Sequence, residues 1–385
     1  MDNGSQQIEL SPIKQIELLA SKIPGVVSLA QGIPADDTPS IIKDEVISAL
    51  QLGKTARYSL TYGLPQLREE ISQHLQSMGM EYDWEREIIV TAGSIEGITA
   101  SLLALVSPGD EVIITSPSYA SYQQAIKVAR AIPVEVDLDD KWQFDLDAFK
   151  KKISKRTKAV IIANPNNPTG TIFAKQELIE IAKLAKSNNF FIILDEVYRD
   201  LIYEDSLFFS LAELPEFRDV IVRVYSFSKA YAMTGWRVGY LHSDKRNVDE
   251  IIKTHDALVT CAPVISQYAA LAALLMPEEQ KDQIKQAYKN RRDVIVSRLD
   301  KMSDVFSYQK PTAAYFVFPK INLLDWQDSW RLSLALLEQA KVAVVPGVSF
   351  GKRGEGHIRM CFGRSVSDIN IAFDRMEEFF AKIKT

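Results

Sequence analysis

Short apolar runs rich in β-branched residues alternate with helical patterns through the middle of this chain. The runs are Glu87–Thr91, Glu111–Ser116, Ile132–Asp137, Lys158–Ala163, Phe190–Asp195, Val220–Ser226 and Arg237–His242. Helical patterns separate most of them, at Glu96–Leu105, Tyr122–Ala129, Leu146–Lys152 and Gln176–Asn188. Such alternation indicates βα units, and continuous apolar strands are typical of a sheet that is buried on both faces. The pattern predicts an α/β fold around a mostly parallel, seven-stranded sheet flanked by helices.

The two ends of the chain follow a different pattern. After His242 the sequence is helix-rich to about Leu299, with a break at Pro263. Mixed elements follow, with strands predicted at Ala313–Pro319, Val342–Val345 and His357–Phe362 and helices at Trp330–Gln339 and Ser367–Lys382. The N-terminal part has a helix at Pro12–Ser21 and a strand at Val26–Leu29 but no sheet of its own. We expect a large domain over residues 45–285 and a smaller α+β domain from residues 1–44 and 286–385.

The last two strands of the predicted sheet, Val220–Ser226 and Arg237–His242, are joined by too few residues for a crossover helix. A parallel connection needs a dozen residues or more, whereas antiparallel strands need only a short loop. We therefore expect one antiparallel member in the sheet.

Charge and composition exclude several classes of function. The 385 residues carry a formal net charge of −5 without a clustered basic face, so we expect no nucleic-acid partner. Apolar runs such as Ile98–Val106 fall short of the roughly 18 residues that span a membrane. The two cysteines, Cys261 and Cys361, lie far apart and form no metal-ligand spacing. With no secretion signal visible, we expect a cytoplasmic protein that binds no metal.

The strongest chemical signal follows the sixth predicted strand. Lys229 stands among the hydroxyls of Ser226 and Ser228, and Arg237 comes a short loop later. Taken alone, such a lysine is more often a surface residue at a strand end. A lysine that acts as a covalent catalyst needs a rigid support and shielding, and an arginine beside hydroxyls suits a phosphate.

Two further polar segments follow predicted strands. Asp195-Glu-Val-Tyr198 closes one, and an acid at the carboxyl end of a buried strand stands where open α/β sheets place functional groups. Asn164-Pro-Asn-Asn-Pro-Thr-Gly170 follows another and reads as a rigid loop whose Asn167 amide is free to donate. As single features, a helix cap and a plain turn would explain them equally well.

Together these motifs resemble those of the fold type I, pyridoxal-phosphate (PLP) dependent aminotransferases of class I/II, the branch with the aspartate, aromatic and alanine enzymes. The same order includes segments at Tyr58–Gly63, Thr91–Ser94, Pro117–Tyr119, Gly235–Gly239 and His357–Arg359. The resemblance spans the chain from Gly32 to Phe362, and motifs in matching order make chance similarity improbable.

The resemblance implies a role for each residue that could contact PLP. Lys229 would carry PLP as a Schiff base and shuttle the substrate proton, and Asp195 would pair with the ring nitrogen. Tyr198 and Asn167 would bond the phenolic oxygen, and Tyr119 would stack on the ring unless it is an ordinary core tyrosine. The phosphate would bind to the groups Ser94, Ile95, Ser226, Ser228 and Arg237, with the two backbone amides of Ser94 and Ile95 opening a helix.

The resemblance also implies how substrate and a second subunit meet this site. Arg359 would clamp the α-carboxylate, aided by Asn167 and the backbone of Gly32. Because Arg359 alternates with apolar residues, the sequence pattern by itself favours a half-exposed strand on which the Arg359 side chain points outward to solvent. Tyr58, otherwise a surface aromatic, would reach the phosphate of a neighbouring subunit, which makes a homodimer with shared sites the expected assembly.

The implied activity is transfer of an amino group between an L-amino acid and a 2-oxo acid by a ping-pong mechanism, with glutamate and 2-oxoglutarate as one pair. A carbon–sulfur β-lyase or an aminocyclopropane-carboxylate-type synthase on the same fold is the nearest alternative. A PLP-binding regulator without catalysis is a further one. The sequence leaves the substrate side chain open, and it does not rank the cations that could recognise a second carboxylate, which are Arg57, His255, Arg291 and Arg292.

Overall fold

A computed structural model describes residues 10–204 and 208–383. Its helices are α1 (Pro12–Ala20), α2 (Ser40–Gln51), α3 (Pro65–Ser77), α4 (Ser94–Leu105), α5 (Ser121–Val128), α6 (Leu146–Lys152), α7 (Lys175–Asn188), α8 (Lys245–Val259), α9 (Val264–Leu274), α10 (Glu278–Asp300), α11 (Ser329–Gln339) and α12 (Val366–Ile383). Residues 1–9 and 384–385, which belong to the predicted smaller domain, lie outside the described part.

The strands form one large sheet and three small ones. They are β1 (Val27–Ser28), β2 (Ile88–Thr91), β3 (Glu111–Ser116), β4 (Ile132–Asp137), β5 (Thr157–Ala163), β6 (Phe191–Asp195), β7 (Ile221–Ser226), β8 (Gly239–Ser243), β9 (Phe306–Ser307), β10 (Phe316–Val317), β11 (Lys320–Ile321), β12 (Val342–Ala343), β13 (Val345–Pro346) and β14 (Ile358–Cys361). The large sheet has the order β2-β8-β7-β6-β5-β3-β4.

Within the large sheet, β8 runs antiparallel to both of its neighbours, β2 and β7, while the remaining neighbours pair in parallel. The prediction of a mostly parallel, seven-stranded sheet is therefore confirmed. The predicted antiparallel member is also found, because the short loop after β7 can only return the chain against it.

The continuous apolar character of the strands follows from burial on two faces. Adjacent residues of one strand enter different cores: Ile113 packs in the core that also holds α7, and Ile114 in the core that holds α4 and α5. Ile162 and Ile161 divide in the same way. Because neighbouring side chains point to opposite faces, a sheet covered on both sides needs apolar residues at every position.

The N-terminal strand joins the C-terminal part of the chain. β1 pairs in parallel with β12, so that Val27 lies opposite Val342. A three-stranded sheet, β10-β14-β13, and the pair β11-β9 complete the second region. The residue boundaries of the two domains, 45–285 for the large one, stay a prediction.

Several sequence predictions outside the large sheet were wrong in detail. No element was predicted over α2 and α3, and the helix-rich stretch after His242 is divided a second time, at Pro277, between α9 and α10. The predicted strand Ala313–Pro319 shrinks to β10, because Ala313 and Ala314 donate their amides to loop carbonyls instead of to a strand. The predicted strand Val342–Val345 is two strands, β12 and β13, that join different sheets.

The carboxyl ends of the central strands meet at one edge of the large sheet. Ala163 at the end of β5 lies beside Asp195 at the end of β6, which in turn lies beside Val224 of β7. Loops that follow parallel strands are therefore held together there, as expected for a site in an open α/β sheet. Within the described ranges, no helix is both long and apolar enough to cross a membrane.

Candidate active site

A cavity of about 660 Å³ lies at this edge of the large sheet. Its walls contain every predicted site residue except Tyr58. These are Gly32, Ser94, Ile95, Tyr119, Asn167, Asp195, Tyr198, Ser226, Ser228, Lys229, Arg237 and Arg359. The volume is in the range of pockets that hold a small cofactor together with a substrate.

Lys229 stands three residues beyond the end of β7, with its amine inside the cavity. Its Nζ lies 3.4 Å from the carbonyl oxygen of Gly32, and the rings of Tyr198 and Tyr315 flank it at 5.9 and 5.8 Å from their centroids. Burial, reinforced by the nearby charges of Arg359 and Arg237, lowers the pKa of Lys229 to about 8. About a tenth of this amine is therefore unprotonated at pH 7, and that fraction is the nucleophilic form.

Asp195 is the last residue of β6, and its carboxylate is buried. Its Oδ2 accepts a hydrogen bond from the Tyr122 hydroxyl at 2.6 Å, and its Oδ1 accepts one from the Val197 amide at 3.3 Å. Burial raises the pKa of Asp195 to about 6, although the Tyr122 hydroxyl opposes that rise. The carboxylate is thus oriented by neutral donors, and no cation among the described residues forms a hydrogen bond with it.

Tyr122 is a site residue to which the sequence analysis gave no role. It lies in the first turn of α5 and packs edge-to-face on Tyr119, with 5.5 Å between the ring centroids. The spacing of Tyr119 and Tyr122 was the available signal. Nothing in the sequence shows that the second tyrosine reaches Asp195, which is 73 residues further on.

The loop after β5 contains three asparagines with different partners. Asn164 accepts the Phe173 amide at 3.0 Å, and Asn166 accepts the Thr169 hydroxyl at 3.0 Å, so both stabilise the loop itself. Asn167 instead faces the cavity, where its Oδ1 accepts from Nη1 of Arg359 at 3.0 Å. The loop therefore holds one amide toward the site.

Arg359 is 1% exposed and points inward from β14. All four residues of that strand are buried, so the outward orientation that alternation favoured is wrong. Nη2 donates to the Ala30 carbonyl at 2.6 Å, the guanidinium lies 4.1 Å from the Phe316 ring centroid, and Nε has no partner in the described chain. Burial lowers the pKa of Arg359.

No carboxylate in the described ranges forms an ion pair with Arg359. A buried guanidinium without an anion is costly, because its desolvation is not offset by an opposite charge. The arrangement suits an anionic ligand that enters the cavity and completes the pair.

A second anion-binding arrangement lies where β2 turns into α4. Gly93 precedes the helix with φ of 83° and brings no side chain, so no side chain in the described part of the protein caps the first amides of α4. A Cβ at Gly93 would lie 2.4 Å from Nη2 of Arg237. Glycine is therefore required both for the positive φ and for the close approach of the guanidinium. Free helix amides beside an arginine form a site for a phosphate.

Tyr58 lies outside the cavity, and 83% of it is exposed. Together with Arg57 it lines a separate cleft beside Cys261 and Pro263. Arg57, one of the four cations that could recognise a second carboxylate of a substrate, is exposed in this cleft. The other three have acidic partners within the chain, in the pairs His255–Glu96, Arg291–Asp36 and Arg292–Glu204.

Comparisons with known proteins agree with this geometry. The model of the family described as "Aminotransferase class I and II" matches residues 24–376. The chain is 37% identical over 380 residues to a putative aminotransferase, YugH, of Bacillus subtilis, with 98% of this chain and 97% of the relative covered. It is 35% identical over 389 residues to an aspartate aminotransferase of Pyrococcus abyssi, with 100% and 99% covered.

Solved structures give the same relationship. The aspartate aminotransferase of Thermotoga maritima superposes with a TM-score of 0.91 at 32% identity, covering 99% of this chain and 100% of that one. The aromatic aminotransferase of Pyrococcus horikoshii superposes with a TM-score of 0.88 at 34% identity, covering 97% and 99%.

Proposed function

The chain belongs to the class I and II aminotransferases, enzymes that depend on PLP, and from that premise we propose that it exchanges an amino group between glutamate or 2-oxoglutarate and a second amino or 2-oxo acid. The relatives named above carry aminotransferase names, which supports amino transfer rather than a lyase, a synthase or a regulator without catalysis. The observation that carries the proposal is one cavity with a lysine amine, a buried carboxylate and a buried arginine that has no anionic partner among the described residues.

The donor set of the cavity fits PLP at each end. The amides of Ser94 and Ile95 and the guanidinium of Arg237 would bind the phosphate, with the hydroxyls of Ser226 and Ser228 beside them. The residues proposed around the ring are Asp195 at its nitrogen, Asn167 and Tyr198 at its phenolic oxygen, and Tyr119 against its face. When bound, PLP supplies an aldehyde that links to an amine and a protonated ring that withdraws electrons from the substrate Cα.

Lys229 would act first as the covalent anchor and then as the proton carrier. Because its pKa is lowered to about 8, Nζ can accept the proton of the substrate Cα near neutral pH. Asp195 has only neutral hydrogen-bond donors in the described chain, so its charge remains available to a protonated ring nitrogen. One cavity serves both substrates in turn, and we therefore propose a ping-pong order.

Arg359 would hold the substrate α-carboxylate. Its Nη1 is already fixed by Asn167 and its Nη2 by Ala30, which fixes the plane of the guanidinium before any substrate arrives. Its unpartnered Nε marks an unused donor in the described chain. A guanidinium with a fixed orientation binds a planar carboxylate with little loss of side-chain entropy.

Lys14 supports glutamate and 2-oxoglutarate as one pair. It is the fourth positively charged side chain on the cavity wall, after Lys229, Arg237 and Arg359. It lies on α1, is exposed, and forms no ion pair within residues 10–204 and 208–383. We propose that it attracts the side-chain carboxylate of a dicarboxylic substrate.

Exposed side chains around Tyr58 support a homodimer with shared sites. Leu52 and Leu60 are 64% and 59% exposed, and both lie on the same segment as Tyr58. Neighbouring apolar side chains in water are typical of a surface that another molecule covers. In a symmetric dimer, each Tyr58 could enter the phosphate site of its partner.

A labelling experiment tests the proposed activity. The purified chain with PLP is given ¹⁵N-glutamate alone, and we expect 2-oxoglutarate equal to the number of sites and no further turnover. Addition of a second 2-oxo acid should then carry the label into a new amino acid. Release of labelled ammonia would refute amino transfer. Label transfer from other amino acids but not from glutamate would refute the glutamate pair alone.

A further inference from the structure

We infer that Glu96, held by His255, is a positioning residue that fixes the loop between β2 and α4 so that its free amides can bind a phosphate. The inference rests on the proposed placement of the PLP phosphate at Ser94 and Ile95. Glu96 itself is absent from the cavity wall, and its side chain points back into the loop.

The contacts of Glu96 connect three parts of the fold. Its Oε2 accepts the backbone amide of Ala92 at 3.0 Å, and its Oε1 lies 3.0 Å from Nδ1 of His255. His255 belongs to α8 and has no exposed side-chain surface, while the Glu96 side chain is 11% exposed. The carboxylate therefore bridges the loop, the first turn of α4 and the neighbouring helix α8.

The bridge orders the loop without using the amides that a phosphate needs. In the usual capping arrangement, a side chain at the helix start occupies one of the first amides. Here Gly93 has no side chain to do so, and its own amide donates to Thr91 at 2.8 Å. Glu96 accepts one residue earlier, from the amide of Ala92, and no described side chain caps the amides of Ser94 and Ile95.

The helix dipole favours Glu96 in the first turn of α4, but it does not explain an acid beside a site for a phosphate. A carboxylate within the first helical turn repels a phosphate bound at the same turn. The contact with His255 holds that carboxylate away from the cavity, and the helix that carries His255 is itself bonded to α4, because the Thr254 hydroxyl donates to Ala100 at 2.9 Å. The role that fits these contacts is geometric.

The test compares the affinity of the full-length chain for PLP with its affinity for pyridoxal, which lacks the phosphate. We expect Glu96→Ala to weaken PLP binding about tenfold, the worth of one hydrogen bond that involves a charged group, and to leave pyridoxal binding within about twofold. Glu96→Gln should bind PLP at least as tightly as the parent, because its amide oxygen can accept from Ala92, its NH₂ can donate to His255, and its charge is gone. A general loss of structure would weaken both ligands equally.

Arg237→Ala serves as the comparison variant, and it should weaken PLP but not pyridoxal. If Arg237→Ala behaves so while Glu96→Ala weakens both ligands alike or neither, the positioning role is overturned. If Glu96→Gln loses as much PLP affinity as Glu96→Ala, the role is again overturned. An unselective Arg237→Ala would instead refute the proposed phosphate placement. Should Glu96→Ala not fold, Glu96→Asp, which is one methylene too short to bridge both partners, should show the same selective loss.

Discussion

Replacement of Asp195 by asparagine should stabilise the cofactor-free protein and inactivate it. The carboxylate is 5% exposed and accepts from the Tyr122 hydroxyl at Oδ2 and from the Val197 amide at Oδ1, so the single amide oxygen of an asparagine can keep only one of these hydrogen bonds. The substitution therefore keeps the size of the side chain and one of the two accepted hydrogen bonds, and it removes a buried charge. Without that charge, a protonated ring nitrogen has no counter-ion at this position.

The magnitude follows from the pKa of Asp195. Burial raises that pKa from 3.8 to about 6, so the folded state binds the proton more tightly than the unfolded state. A rise of about two units corresponds to about 3 kcal/mol of lost stability. The loss is complete above pH 6, shrinks as pH falls from 6 to 4, and is absent below the unfolded pKa. The new NH₂ group needs an acceptor, which reduces the expected gain at pH 8 to about 1–3 kcal/mol.

The assay is thermal and urea unfolding of the cofactor-free parent and the variant between pH 4.5 and pH 8. We expect the variant to be more stable at pH 8 and the two curves to converge toward pH 4.5. Saturation with PLP should reverse the order at pH 8, because the parent alone offers the ring nitrogen a carboxylate. A variant that is less stable than the parent at pH 8, or a difference that does not change with pH, would refute the reasoning.

Three further substitutions test separate parts of the site. Lys229→Ala should abolish the covalent attachment of PLP, so that borohydride reduction adds no cofactor mass to the protein, and it should slow transamination by about two to four orders of magnitude. The control Lys245→Ala, on the exposed start of α8, should change neither the added mass nor the rate. Tyr122→Phe removes the hydroxyl that lowers the pKa of Asp195, so that pKa should rise by about one further unit. The pH below which PLP affinity falls should rise by about the same amount. If that pH does not change, Tyr122 does not tune the pKa of Asp195. Lys14→Ala should lower kcat/KM for glutamate by about fivefold, the upper range for an exposed ion pair, and leave that for alanine unchanged; equal effects on both would remove Lys14 from side-chain recognition.

The large sheet was predictable because the burial of its strands can be recognised from neighbouring residues in the sequence. Several strands are continuous apolar runs, so burial on two faces is visible in the run itself. Glu111–Ser116 and Ile132–Asp137 begin and end as predicted. The sheet order also follows partly from local facts, since the short connection after β7 forces an antiparallel return. Because β5 and β6 are parallel, their carboxyl ends place the loop that contains Asn167 and the side chain of Asp195 at the same edge of the sheet.

Elements whose burial depends on distant partners were not predictable in this way. Helix α3 buries Arg68, whose guanidinium donates to the carbonyls of Trp84 and Glu85, so its buried face is not apolar throughout. In the run Val342–Val345, the apolar pattern is real, but Val342 pairs with Val27 and Val345 with Arg359. A local pattern shows that a segment is buried but does not show which strand it joins.

The same distinction divides the site residues. Lys229, Asp195 and Arg359 were singled out because their chemistry is unusual for the positions they occupy in the chain. Tyr122 and Glu96 were given no role, because each acts by a contact across the fold, the first to Asp195 and the second to Ala92 and His255. A supporting residue of this kind has an ordinary sequence context, so only the structure reveals it.

The three singled-out residues share an energetic property that links folding to ligand binding. Burial raises the pKa of Asp195 and lowers the pKa values of Lys229 and Arg359, so in each case the surroundings disfavour the charged form. For Lys229, with its pKa lowered to about 8 from 10.5, this costs stability below pH 8, and the cost disappears as pH rises toward 10.5. The chain thus folds around charges that its own described residues leave without full compensation. A protonated ring beside Asp195 and an α-carboxylate beside Arg359 would supply two of the missing opposite charges, and each ligand that binds only the folded state should stabilise it by an amount set by its concentration and its affinity.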